Sequence, residues 1–89
     1  MKTNVPSALS VSAAEAALNA AIIRAEYPCA ASQLRLAANA GPSQLACEAS
    51  KINMYISRDL HDADYSGVDM PAHQAAYDAL SALVREIIL

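Results

Sequence analysis

With 89 residues, 55% of them hydrophobic, no Phe or Trp and a net charge of −3, the chain has room for one small domain with a thin aliphatic core. A domain of this length buries only about 60% of the surface its unfolded chain exposes, which leaves little volume for a catalytic pocket, so an enzyme is not expected. The N-terminal stretch MKTNVPSALS carries one Lys and no sustained apolar run, which predicts neither a secretory leader nor a membrane span and makes the cytoplasm the default compartment.

Residues 1–11 read as a flexible lead-in, and residues 12–89 as a single helical domain. Ser12-Ala13-Ala14-Glu15 has the form of a capping box, in which a hydroxyl and a carboxylate satisfy orphan N–H groups at a helix start. It predicts a helix from Ala13 to Tyr27 with Ala14, Leu18, Ala21, Ile22 and Ala25 on its apolar stripe, which Pro28 ends or kinks. A second helix from Cys29 to Ala40 presents Ala30, Leu34, Ala37 and Ala38 and stops at Gly41-Pro42, where Gly accepts a left-handed cap conformation.

Ser43 is placed to cap a third helix reaching Leu60, with Leu45, Ala49, Ile52, Ile56 and Leu60 inward and Gln44, Glu48, Lys51, Tyr55 and Arg58 outward. Pro71 suits the first turn of a last helix, lined by Ala76, Leu80, Leu83, Val84, Ile87 and Ile88. These stripes specify an all-α bundle of three or four helices, the count resting on what Pro28 does. About a quarter of the residues are Ala, which buries little area per side chain; a thin core of this kind favours close helix packing and fits a homodimer. The apolar terminus Ile87-Ile88-Leu89 either tucks into the core or joins such an interface.

Charge is unevenly spread. Residues 1–58 carry Lys2, Arg24, Arg35, Lys51 and Arg58 against Glu15, Glu26 and Glu48, a balance of +2, whereas residues 59–89 carry five Asp and Glu86 against Arg85 alone, a balance of −5. The polarity suits a basic protein partner better than a nucleic-acid backbone. Cys29 and Cys47 form no CxxC pair, and they read as reduced, small apolar packing residues. With His61 and His73 they make up a Cys2His2 inventory, but without the close ligand pairs of a structural zinc site.

The stretch RDLHDADYSGVDMPAH, residues 58–73, holds four of the five aspartates and both histidines. Within it, Asp62-Ala63-Asp64-Tyr65-Ser66-Gly67 resembles the first half of an EF-hand calcium loop, whose alternating oxygen ligands and Gly wrap a hard cation. His73 stands where the closing bidentate Glu belongs, and neither a metal nor a cofactor is expected. Acid–base work by these residues would need a walled pocket, and both histidines read as surface residues.

A second resemblance lies in SQLRLAANAGPSQLACEASK, residues 32–51, which is similar to the helix-turn-helix of phage-type repressors: a small Ala on the first helix, Gly in the turn, a polar opening to the second. It implies a DNA-binding regulator with Ser43, Gln44, Glu48 and Lys51 facing the groove. The leading expectation is different. Asp59, Asp62, Asp64 and Asp69, with Tyr65 among them, present carboxylates and a stiff amphipathic ring to a basic protein surface. In size and charge the chain resembles small inhibitors and adaptors, phage-encoded anti-CRISPR proteins included.

Overall fold

The first helix starts at Ser7, five residues before the Ser12 capping pattern. In the computed structural model, which describes residues 3–21, 29–62 and 69–88, α1 spans Ala8–Ala20 with Ser7 as its N-cap. The Ser7 Oγ accepts the Ser10 N–H at 3.1 Å. The other half of the box comes from the far end of the chain: the Ser7 N–H donates to Glu86 Oε1 at 2.7 Å, and the Ser10 hydroxyl donates to Glu86 Oε2 at 2.6 Å. A carboxylate supplied through tertiary contact meets the orphan donors that a local Glu would otherwise meet. Residues 8–11, expected in the lead-in, are therefore helical, and the preceding Asn4 N–H is tied to the Ile87 carbonyl at 2.7 Å. Val11 extends the buried stripe through Ala14 and Leu18 to Ala21. Glu15, relieved of capping, pairs with Arg35 on the neighbouring helix. Residues 22–28, on which the end of the first helix and the role of Pro28 were expected to turn, lie outside the described residues.

α2 spans Ala30–Ala40 and buries Ala30 and Leu34, with Ala37 and Ala38 packed at the edge of the core. The turn to α3, Pro42–His61, is a single residue. Gly41 has φ 133° and ψ 168°, an extended positive-φ conformation open essentially to glycine alone, instead of the left-handed cap the sequence suggests. Pro42 then occupies the first helical turn, where its missing N–H costs nothing, and Gly41, not the expected Ser43, is the N-cap. α4 spans Met70–Ile88. Asp69 caps it, its Oδ1 accepting the Ala72 N–H at 3.1 Å.

The four helices pack in a ring, α1 on α2, α2 on α3, α3 on α4 and α4 back on α1, within an envelope of 40 × 21 × 20 Å. α3 and α4 run antiparallel, Asn53 meeting Ser81 and, further along α3, Asp59 facing His73, and Glu15 of α1 meets Arg35 of α2. Among the described residues the fold is thus an all-α bundle of four helices. Its axis is filled by Leu34, Leu45, Ile52, Ile56, Leu80, Leu83 and Ile87, all fully buried, with alanines between them that let the helices approach. Among the described residues, no helix is long and apolar enough to cross a membrane.

Candidate functional site

Asp59 does not belong to the exposed acidic surface. The inner stripe of α3 advances from Leu45 through Ala49, Ile52 and Ile56 to Asp59, in steps of three or four residues, and Asp59 is 0% exposed. On α4 the corresponding stripe begins at His73 and continues through Ala76, Leu80, Leu83 and Ile87, and His73 is also 0% exposed. A carboxylate and an imidazole thus end two otherwise apolar stripes and face each other, Asp59 Oδ2 lying 3.8 Å from His73 Nε2. This corrects two expectations at once, Asp59 as a contact residue and His73 as a surface residue.

The His73 Nδ1 lies 3.0 Å from the Asp69 carbonyl oxygen. A carbonyl can only accept, so Nδ1 carries the proton, and Nε2 is the atom turned towards Asp59. Nε2 makes no hydrogen bond among the described residues, and 3.8 Å from the carboxylate oxygen is too long for one. Two buried polar groups thus sit together where the C-terminus of α3 meets the N-terminus of α4, on either side of the acidic connection.

Of the remaining expected contact residues, Asp62 and Asp69 are exposed. Asp62 closes α3, its N–H donating to the Arg58 carbonyl at 3.0 Å, and its carboxylate faces solvent. Asp69 spends one oxygen on the cap of α4. Asp64 and Tyr65, and with them most of the calcium-like segment 62–67, lie outside the described residues. No group of three or more His, Cys, Asp or Glu suited to a metal ion occurs among the described residues. His61 is exposed, and so are both cysteines, Cys29 and Cys47, which corrects their expected place in the core.

The helix-turn-helix set divides. Gln44, Glu48 and Lys51 share one stripe of α3 by their four- and three-residue spacing, and Tyr55 and Arg58 continue it, the guanidinium lying 5.1 Å from the ring centroid. Ser43 is exposed but turned about 100° from Gln44 by the helical period. Glu48, Lys51, Tyr55 and Arg58 all take part in interactions within the chain, and α3 is flanked on one side by α2 and on the other by α4.

Open grooves lie between neighbouring helices of the described residues. One, between α1 and α2, is lined by Glu15, Asn19, Ala31, Ser32, Arg35 and Leu36. Another, between α3 and α4, runs over Ser50, Met54, Ser57, Tyr77, Ser81 and Val84. Sequence reasoning did not single out either. Comparison with family models, with curated proteins and with solved structures gives no match to this chain.

Proposed function

We propose that the protein is a cytoplasmic, non-enzymatic interaction module of the inhibitor or adaptor type, which docks the acidic end of its bundle on a basic surface of a partner protein. The observation that carries this reading is the exposure of Asp62 and Asp69 at the two ends of the α3–α4 connection, above a buried Asp59–His73 pair that holds both flanks from within. Two fixed helix ends present carboxylates at low entropic cost, which is what electrostatic recognition of Arg and Lys requires. Asp64 and Tyr65 belong to the same contact by their place between these ends. Self-association is part of the same reading, since the alanine-rich core is thin.

Affinity capture from cell extract with wild-type protein and with an Asp62→Asn/Asp64→Asn/Asp69→Asn variant tests it. Asn caps a helix as well as Asp, so the variant keeps α4 intact while removing charge. A partner with a basic surface that is retained by the wild type and lost by the variant supports the proposal, and equal retention overturns it. The second reading, a helix-turn-helix regulator, draws on the exposed Gln44 and Lys51 after the Gly41 turn. Titration of duplex DNA at low and moderate salt separates it, because phosphate contacts give a steep salt dependence.

A further inference from the structure

We infer that the protein pairs with a second copy of itself through the α3–α4 face, the two α4 helices running antiparallel about a twofold axis between Ser81 and Ala82. The groove on this face combines two features. Its walls are apolar where they stand proud: Met54 is 71% exposed, and Ile88, one turn beyond Val84 on the same side of α4, is 44% exposed. Its floor is small, with Ser50 and Ser57 on α3 and Ser81 on α4 leaving room for a helix to approach closely. Its two walls are joined at the centre, where the Asn53 Nδ2 donates to Ser81 Oγ at 3.1 Å.

Charge selects the occupant. Arg85 lines the groove, and Asp78 stands exposed seven residues before it on α4, the two on either side of Ser81; the Gln74 amide donates to the Asp78 carboxylate at 3.1 Å. In an isologous pair, a residue i that meets j is mirrored by j meeting i. An antiparallel crossing centred between residues 81 and 82 sets Asp78 against Arg85 of the second copy, and does so twice. A second copy of this chain thus brings the complementary charges in register, together with a Met54, Val84 and Ile88 surface to bury. This face lies apart from the exposed Asp62 and Asp69, so pairing leaves the acidic end free.

Sedimentation equilibrium across micromolar to millimolar protein, with circular dichroism as a check on folding, tests the inference. The wild type is expected to dimerise reversibly. Asp78→Arg is expected to weaken association about tenfold or more, since like charges then face each other, and Asp78→Arg/Arg85→Asp is expected to recover most of it. Ser81→Arg, which fills the groove, is expected to give a folded monomer. A wild type that stays monomeric throughout overturns the inference, as does a dimer insensitive to Ser81→Arg and to charge reversal. The Asp62→Asn/Asp64→Asn/Asp69→Asn variant is expected to dimerise like the wild type, which keeps this result separate from the partner-binding test.

Discussion

Asp59 Oδ2 and His73 Nε2 face each other at 3.8 Å with both side chains fully buried, at the one point where the stripes of α3 and α4 cease to be apolar. Removing one member of a buried pair is strongly destabilising, because the other stays desolvated with one neighbour fewer. Asp59→Ala and His73→Ala are each expected to lower the free energy of unfolding by about 3 kcal/mol, read from urea denaturation. Asp59→Leu/His73→Leu is expected to regain much of that loss. A double variant as unstable as the sum of the singles would mean that the two residues act independently.

Glu86 gives the stability its acid dependence. Its pKa lies below the ordinary glutamate value, held there first by the Ser10 hydroxyl and then by the Ser7 N–H. A carboxyl depressed by folding contributes stability that is present above its unfolded pKa and lost as pH falls through its folded pKa. The denaturation midpoint is therefore expected to decline as pH drops below the ordinary glutamate range, and Glu86→Gln should flatten that part of the curve. An unchanged slope in the variant would remove Glu86 from the account.

Gly41 is strained for any other residue by conformation and not by space. No heavy atom lies within 4 Å of where a Cβ would stand, yet φ is +133°. Gly41→Ala is expected to cost about 1–3 kcal/mol, measured by the shift in urea midpoint. Pro42→Ala, which changes a first-turn position, is expected to cost much less. Equal effects would locate the difficulty elsewhere in the turn.

Cys29 and Cys47 are both exposed and free, so both thiols are expected to react with a chromogenic disulfide reagent in the native protein without denaturant. If reaction required urea, the side-chain placement at the start of α2 and along α3 would be wrong.

Much of the fold was legible because apolar periodicity carries it. The stripes Leu45–Ala49–Ile52–Ile56 and Ala76–Leu80–Leu83–Ile87 were found at sequence level and are buried. The same spacing also contained Asp59 and His73, one step beyond each stripe. Their polarity argues for an outward position against the period, and what overrides it is a polar residue on the facing helix, which one stripe alone does not reveal. The start of α1 was misread for a related reason. Glu86 is 79 residues from Ser7 in sequence, and a local capping pattern cannot anticipate a carboxylate that folding brings from the other end. Gly41 was recognised as a stop, but its extended positive-φ geometry depends on how α2 and α3 pack. The α3–α4 groove was invisible because serines on an outer face look like ordinary solvent contacts until the neighbouring helix supplies the other wall.

The central claim is that Asp62, Asp64 and Asp69 carry recognition of a basic partner. Its most direct test is an equilibrium titration of the captured partner with wild-type protein, with Asp62→Asn/Asp64→Asn/Asp69→Asn, and with Glu15→Gln as a control for charge elsewhere. The account predicts a Kd weakened about tenfold or more in the triple variant, a loss that shrinks as salt is raised, and little change for Glu15→Gln. Equal Kd values for the wild type and the triple variant would contradict it.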